Sequence, residues 1–310
     1  MHTQQPTMQP PAFPPPPMGG RLLVGDRQLF VHCSGAGGPA VVILPGAGAM
    51  ALDYLNIHEE AARLTTSILY DRAGTGWSDH ADLPRTSTDV TTELRAVLRA
   101  VGAPAPYILV GHSLGGGFAR HYAQRFPHEV AGLLLLDPLH EDSPKYWPEE
   151  TRQGTEQLEA MANMELPQAM LETYRVLFEQ KFRTWPDHVR VALVARHLEA
   201  WRVGILESMS LDTVIAELTN GGSIPDVPLV VMTAMGIDPA LRAFSPDAAQ
   251  QKINDGKRTL NELISRSTSR GRHVVVEDAA HAWMTMDRPD TVLQALRELL
   301  DAVRAVDGGG

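Results

Sequence analysis

The sequence has little cysteine, no excess of positive charge and no long apolar run, and each shortage excludes a class of protein. Cys33 is the single cysteine among 310 residues, so neither an intrachain disulfide nor a cysteine-rich metal site is available. An apolar run such as Val130–Leu136 is seven residues long, whereas a membrane-spanning helix needs about 20. A globular protein without a membrane span is therefore expected.

Charge and composition narrow the possibilities further. The chain carries 27 basic and 37 acidic residues, a net charge of −10, which argues against a general nucleic-acid binder because such a protein presents a basic face. Apolar residues make up 44% and charged residues 21%, as is ordinary for a folded protein. A chain of this length forms one large α/β domain or two domains of roughly 150 residues each.

Both ends of the chain are predicted to lie outside the folded core. Residues 1–20 hold seven prolines and no lysine or arginine, and they lack the apolar segment of a secretion signal. We interpret them as a disordered, partly polyproline II tail, with a docking peptide for a proline-reading partner as the alternative. A cytoplasmic location is expected on the same grounds. The last three residues, 308–310, are all glycine, and we interpret them as a frayed end of the chain.

Short β-rich runs alternate with segments of helical period along most of the chain. The predicted strands are 28–33, 40–45, 67–71, 107–111, 130–137, 228–234 and 273–277. The predicted helices are 88–101, with Thr88 as the cap, 114–126, 246–265 and 291–306. This alternation is typical of a mostly parallel central sheet with helices on both faces.

One segment breaks the alternation. Between residues 139 and 222 helix-forming residues dominate and no strand pattern occurs. We therefore predict an α/β core made of residues 21–138 and 223–306, with residues 139–222 inserted as a helical cap. The cap is expected over the carboxyl edge of the sheet, where open α/β sheets bind their ligands.

A G-x-S-x-G pattern at residues 111–115 carries the first chemical signal. It follows an apolar strand and opens an amphipathic helix, which is the context that a nucleophile elbow requires. Gly111 and Gly115 allow the backbone to turn sharply, so that Ser113 is lifted above the sheet. A glycine-rich turn in which the serine only caps a helix is the alternative.

The chain resembles the α/β-hydrolase superfamily in two longer stretches. These are the segment 107–116, Tyr-Ile-Leu-Val-Gly-His-Ser-Leu-Gly-Gly, and the segment 70–79, Tyr-Asp-Arg-Ala-Gly-Thr-Gly-Trp-Ser-Asp. The likeness covers roughly residues 21–137 and 227–306 and implies the α/β-hydrolase fold with serine-based hydrolysis. We interpret the turn at residues 71–78 as structural, with Arg72 in an ion pair.

The resemblance also implies partners for the serine. His281, on the loop after the last predicted strand, is expected to be the general base, although Ala280 stands where many relatives have glycine. In this superfamily the acid lies between the serine and the histidine in the chain. Asp238, after strand 228–234, occupies the usual position of the acid, and Asp137 is the main alternative. Weaker alternatives are Asp247 and Asp278.

Two backbone N–H groups are expected to form an oxyanion hole. By analogy with the superfamily, they belong to Ala47, within the glycine-rich segment 45–48, and to Leu114, next to the nucleophile. Such donors stabilise the negative charge that develops on the carbonyl oxygen. Pro45 stands where many relatives have histidine, and a plain glycine-rich turn is the alternative for this segment.

The predicted function is ester hydrolysis by a Ser113, Asp238 and His281 triad through an acyl-enzyme, without a cofactor or metal. Amide, lactone or carbon–carbon bond hydrolysis by the same triad is the alternative, followed by a non-catalytic small-molecule binder. A small hydrophobic ester is the expected partner, and a homo-oligomer is possible. Methionines and tryptophans in the cap and the active-edge loops indicate an apolar pocket; they are Met50, Met161, Met164, Met170, Met209, Met235, Met284, Met286, Trp147, Trp185 and Trp201.

Overall fold

A computed structural model describes residues 14–148, 154–238 and 245–307 of the chain. Residues 1–13 of the predicted tail and the final residues 308–310 lie outside this range. The end of the predicted tail is nevertheless part of the fold, because Met18 packs against the core and Gly20 already pairs with Val31. The folded region therefore begins a few residues before the expected boundary at residue 20.

A single eight-stranded sheet forms the centre of the described structure. The strands run in the spatial order β1-β2-β4-β3-β5-β6-β7-β8, and the pairings of β2 with β1 and β4 are antiparallel while the others are parallel. The predicted mostly parallel sheet is thus confirmed. The strands are β1 (Gly20–Val24), β2 (Arg27–Ser34), β3 (Val41–Leu44), β4 (Ser67–Tyr70), β5 (Tyr107–His112), β6 (Val130–Leu136), β7 (Leu229–Gly236) and β8 (Gly271–Ala280).

Helices cover both faces of the sheet, as the alternating side-chain directions of its strands require. Ile108 and Val110 of β5 face one layer, whereas Leu109 between them faces the other. The first layer contains α1 (Leu55–Ala62) and α12 (Pro289–Asp307), and the second contains α2 (Ser87–Ala100), α3 (Leu114–Arg125) and α10 (Asp247–Ser265).

Two helical details differ from the sequence prediction. Helix α1 was not predicted, since its eight residues give too short a periodic pattern. Helix α2 is capped by Thr86 rather than Thr88, because the Thr86 side chain accepts a hydrogen bond from the Asp89 N–H and completes a capping box.

The helical insertion, residues 139–222, lies between β6 and β7 in the chain. Its described part contains helices and no strand, in agreement with the sequence pattern. None of the described helices of the protein is long and apolar enough to cross a lipid bilayer. The helices of the insertion are α4 (Ser143–Tyr146), α5 (Thr155–Asn163), α6 (Gln168–Lys181), α7 (Asp187–Glu199), α8 (Val203–Ser208) and α9 (Leu211–Asn220); the short α11 (Met284–Asp287) follows β8.

A buried ion pair joins the helical insertion to the core. The Arg72 guanidinium, whose side chain is 2% exposed, donates to both carboxylate oxygens of Glu207 on α8 at 2.8 and 3.0 Å. The same guanidinium donates to the carbonyl oxygens of Pro45 and Gly46 at 2.7 and 3.0 Å. The predicted ion-paired arginine is therefore confirmed, and it holds the glycine-rich loop after β3 against the insertion.

Glycine allows the same loop to touch helix α8 directly. Gly48 has a φ of +67°, and its N–H donates to Glu207 at 2.8 Å. A Cβ atom on Gly48 would lie 2.8 Å from the Cα atom of Gly204, so a side chain does not fit there. The loop and α8 consequently meet backbone to backbone.

We expect Glu207→Ala to lower the free energy of unfolding by about 3–5 kcal/mol, because it leaves the buried Arg72 charge without its partner. Urea denaturation followed by circular dichroism measures this loss. Glu262→Ala is the matched control, since Glu262 pairs with Arg266 on the surface and such pairs contribute less than about 1 kcal/mol. Equal losses in the two variants would contradict a supporting role for the Arg72–Glu207 pair.

Candidate active site

The predicted nucleophile elbow is present between β5 and α3. Ser113 has φ 53° and ψ −121°, a conformation that costs a non-glycine residue about 1–3 kcal/mol. The flanking glycines make the turn possible, because a Cβ atom on Gly115 would lie 2.1 Å from the carbonyl oxygen of Leu44. Likewise, a Cβ atom on Gly116 would lie 2.5 Å from the Cβ of Pro138. These close contacts between backbone segments hold the turn in place, and the Ser113 side chain projects from it.

His281 lies where the sequence predicted it, directly after β8. Its Nε2 atom is 3.0 Å from Oγ of Ser113, a hydrogen-bonding distance. Both side chains line one cavity. Strand β8 runs on to Ala280, three residues beyond its predicted end, and this extension carries the imidazole to the elbow.

The carboxylate that contacts His281 is that of Asp137 rather than the expected Asp238. Oδ2 of Asp137 lies 2.5 Å from Nδ1 of His281, and the Asp137 side chain is fully buried. Asp238 instead accepts a hydrogen bond from the backbone N–H of Ala282 at 3.2 Å. The sequence-based expectation for this contact is wrong.

The sheet order explains this difference. Strand β6 is the direct neighbour of β5, and Ser113 donates its N–H to the carbonyl oxygen of Leu136 at 3.0 Å. Asp137 follows Leu136 and is therefore next to the elbow, whereas β7, which precedes Asp238, is one strand further away. The weaker alternatives lie elsewhere: Asp278 binds Arg288 at 2.9 Å, and Asp247 is exposed at the start of α10.

Two side chains of helix α10 complete the surroundings of Asp137. Lys257 Nζ lies 2.5 Å from Oδ2, and Asn261, one helical turn later, donates to Oδ1 at 3.3 Å. Burial alone raises the pKa of Asp137, but the Lys257 charge and the hydrogen bond from His281 outweigh it and hold this pKa far below its usual range. Asp137 is therefore a stable anion. No local sequence pattern had indicated Lys257 or Asn261.

His112 connects the loops on both sides of the elbow. Its Nδ1 accepts from the Tyr54 hydroxyl at 2.7 Å, and its Nε2–H donates to the carbonyl oxygen of His281 at 2.9 Å. The Tyr54 oxygen in turn accepts from the N–H of Gly46 at 3.3 Å. Burial, aided by the neighbouring His281, lowers the pKa of His112 to about 3, so the ring is neutral and keeps the tautomer that this chain requires.

The glycine-rich loop after β3 lies against the elbow. A Cβ atom on Gly46 would be 3.2 Å from the Cβ of Ser113, and Ala47 lines the cavity beside the serine. The backbone N–H groups of Ala47 and Leu114 donate to no acceptor among the residues that the structure describes. Both predicted oxyanion donors thus flank Ser113 with their N–H groups available.

The cavity beside Ser113 has a volume of about 390 Å³. Of the eight methionines and three tryptophans that were predicted to indicate an apolar pocket, five methionines and Trp201 line this cavity. The others do not line it: Met50, Met209, Met235, Trp147 and Trp185. Apolar side chains of the helical insertion form most of one wall: Met161, Met164, Leu166, Met170, Tyr174 and Phe178. Within the described part of the chain, no group of three or more His, Cys, Asp and Glu side chains is arranged to hold a metal ion.

Comparison with known proteins defines the class to which this fold and site belong. The model of the alpha/beta hydrolase family matches residues 41–295. The chain therefore belongs to this family, as its motifs predicted.

Individual relatives are more distant. The uncharacterized protein YbdG of Bacillus subtilis (strain 168) is 28% identical over 116 residues, which cover 37% of this chain and 36% of YbdG. The chain thus spans well under half the length of this relative.

Solved structures match over most of the chain. An esterase from Thermogutta terrifontis is 22% identical with a TM-score of 0.59, and the match covers 89% of this chain and 94% of the esterase. A meta-cleavage product hydrolase from Pseudomonas fluorescens IP01 is 17% identical with a TM-score of 0.60, covering 92% and 98%. At these identities the likeness concerns the fold.

Replacing Lys257 by methionine tests how Asp137 is kept buried and charged. We expect Lys257→Met to lower the free energy of unfolding by about 3 kcal/mol, because it removes the partner of a buried anion. In an Asp137→Asn background the same replacement should cost less than about 1 kcal/mol, since no charge is left to neutralise. Chemical denaturation of the four proteins at pH 7 gives the coupling.

Lys252→Met is the matched control for this cycle. Lys252 lies on the same helix but is exposed, so its replacement should change stability by less than about 0.5 kcal/mol. A Lys257→Met effect of the same size in both backgrounds would show that the lysine acts independently of Asp137.

Proposed function

We propose that the protein is a serine hydrolase that cleaves a carboxylic ester through an acyl-enzyme. Ser113 is the nucleophile, His281 the general base and Asp137 the acid. The observation that carries this proposal is the continuous contact from Ser113 Oγ to His281 Nε2 at 3.0 Å and from His281 Nδ1 to Asp137 at 2.5 Å. This is the arrangement that activates a hydroxyl group in serine hydrolases.

The chemistry follows from the positions of the three groups. As Ser113 Oγ bonds to the ester carbonyl carbon, its proton passes to Nε2 of His281. The anionic Asp137 fixes the Nδ1–H tautomer and stabilises the imidazolium that forms. His281 then gives the proton to the departing alcohol. In the second half, water attacks the acyl-enzyme with the same imidazole as base, and Ser113 is released.

The backbone N–H groups of Ala47 and Leu114 are the donors that we assign to the developing oxyanion. Each such donor contributes about 3–4 kcal/mol to stabilising the transition state when it is preorganised. Preorganisation is supported by Arg72, which holds the carbonyl oxygens of Pro45 and Gly46, and by the elbow, which fixes Leu114 at the start of α3.

The apolar wall of the cavity supports a hydrophobic ester as the substrate. The methionine side chains contributed by the helical insertion adapt to ligands of different shape. In this proposal the insertion is a cap over the active site. Asp238 has a separate role, which is to hold the backbone of Ala282 next to the catalytic imidazole.

Exchange of the two aspartates tests the assignment of the acid. Asp137→Asn should lower kcat/KM for p-nitrophenyl butyrate by about 10³–10⁴-fold, because the neutral amide no longer stabilises the imidazolium. Asp238→Asn keeps an oxygen acceptor for the Ala282 N–H and should lower kcat/KM less than tenfold. The opposite ranking would restore Asp238 as the acid.

A fluorophosphonate probe tests the nucleophile independently of the choice of ester. The wild-type protein should be labelled at Ser113, and Ser113→Ala should lose both labelling and esterase activity. Comparing p-nitrophenyl esters with amides and lactones identifies the bond that is cleaved. Absence of labelling in the wild-type protein would contradict a serine hydrolase.

A further inference from the structure

Three polar side chains interrupt the apolar lining of the cavity beside Ser113. Asp53, Lys181 and His197 all line it, and their side chains are 4%, 13% and 6% exposed. Burying three ionisable groups is costly unless they are paired or hydrogen-bonded, because each loses its hydration. The triad chemistry does not use any of them.

Two of the three form a fixed pair. Nε2 of His197 lies 2.8 Å from Oδ1 of Asp53. The imidazole ring packs against both Phe178 and Phe182, with ring centroids 4.4 and 5.6 Å away and interplanar angles of 15°. These aromatic contacts and the hydrogen bond to Asp53 restrict the rotation of His197, which helps to hold the Asp53 carboxylate in place.

Lys181 lies beside this pair without being hydrogen-bonded to it. Its Nζ is 3.9 Å from Oδ2 of Asp53, which is beyond hydrogen-bonding distance. No side-chain or backbone oxygen in the described residues accepts a hydrogen bond from this ammonium group. The aromatic rings of Phe182 and Trp283 lie beside it, with centroids 5.5 and 5.9 Å from Nζ. Three N–H donors are thus available at the cavity surface.

Lys181 lines the same cavity as Ser113 and His281. Asp53 directly precedes Tyr54, whose hydroxyl binds His112, and Trp283 follows His281 by two residues. After burial and the charge of His281, the Lys181 charge is a further influence that lowers the pKa of His112. A ligand that fills the cavity beside Ser113 can therefore also contact Lys181.

The charges present select the kind of group that Lys181 can bind. Asp53 already balances the positive charge of Lys181, so a substrate carboxylate would bring an unbalanced negative charge next to a buried aspartate. A neutral carbonyl oxygen accepts a hydrogen bond from the ammonium without disturbing this balance. Hydrogen bonds to charged groups are the stronger kind, so such a contact discriminates well between substrates.

We propose that Lys181 is a specificity-determining residue that binds a second, neutral carbonyl oxygen on the substrate. This inference rests on the proposed ester hydrolysis and names its substrate class, an ester with a ketone or similar carbonyl group in its acyl or alcohol chain. Asp53 and His197 are positioning residues for the lysine. Apolar parts of the substrate lie against the methionine-rich wall.

Two series of esters that are matched in chain length test this proposal. The acyl series is ethyl heptanoate with ethyl 4-, 5- and 6-oxoheptanoate, and the alcohol series is hexyl acetate with 3-, 4- and 5-oxohexyl acetate. We expect at least one oxo ester to exceed its plain ester at least tenfold in kcat/KM. In Lys181→Met this ratio should fall to about one, and Lys181→Arg should restore part of it. Lys252→Met, which changes an exposed lysine, should retain the wild-type ratio.

Two results would overturn the proposal. The first is a ratio near one for every oxo ester in the wild-type protein. The second is a ratio that Lys181→Met leaves unchanged. Monoethyl adipate, in which a carboxylate replaces the methyl ketone of ethyl 6-oxoheptanoate, tests the charge argument, and its preference over that ketone would contradict a neutral ligand.

Equilibrium binding separates this inference from the proposed function. If the wild-type protein cleaves none of the esters, ester hydrolysis is wrong, and the preference is then measured as dissociation constants on Ser113→Ala by calorimetry. Tighter binding of an oxo ester to this variant, lost in the Ser113→Ala, Lys181→Met double variant, would support the lysine site. Equal binding of oxo and plain esters would overturn it.

Discussion

The site depends on the compensation of one buried negative charge, that of Asp137 at the carboxyl end of β6. An isolated carboxylate is unstable in such a place, so the surrounding structure must supply compensation. It comes from His281 on one side and from Lys257 and Asn261 of helix α10 on the other. The same anion therefore orients the imidazole and fastens α10 to the sheet, which couples the stability of the core to the geometry of the candidate catalytic groups.

Two further sets of hydrogen bonds hold the loops around Ser113 in position relative to one another. The chain from Gly46 through Tyr54 and His112 to His281 links the glycine-rich loop with the histidine loop. Arg72 donates hydrogen bonds to the carbonyl oxygen of Pro45 in the same glycine-rich loop and to the carboxylate of Glu207, and so attaches the loop to the insertion. Burial keeps His112 neutral. Burial also acts against the charge of Arg72, but the Glu207 carboxylate outweighs this effect, raises the pKa of Arg72 and keeps it charged. The site is thus held by hydrogen bonds rather than by apolar packing alone.

The sequence predicted those parts of the fold and site that depend on local signals. Alternating apolar patterns located every strand of the sheet except β1, together with the main helices of the core. The glycines around Ser113 marked the elbow because no other residue fits that turn. His281 was chosen because the resemblance to the α/β-hydrolase superfamily implies a histidine after the last strand. These features need only a few consecutive residues to be recognised.

The acid could not be chosen in the same way, since Asp137 and Asp238 both follow strands. Only the sheet order and the direction of the imidazole distinguish them. Lys257 was missed because helix α10 is distant in sequence, and its contact with Asp137 spans 120 residues. The polar group around Lys181 was missed for the same reason, because its members come from separate helices and meet only in the folded chain.

The backbone contact between Gly48 and Gly204 has a consequence for how this scaffold can diversify. Gly48 does not tolerate a side chain, and Glu207, to which its N–H is bonded, is tied to the core, so this part of the pocket wall has little freedom to change by mutation. The opposite wall is built from long, flexible thioether side chains of the insertion. Adaptation to bulkier or differently shaped compounds, in nature or by directed evolution, is therefore confined to that flexible side.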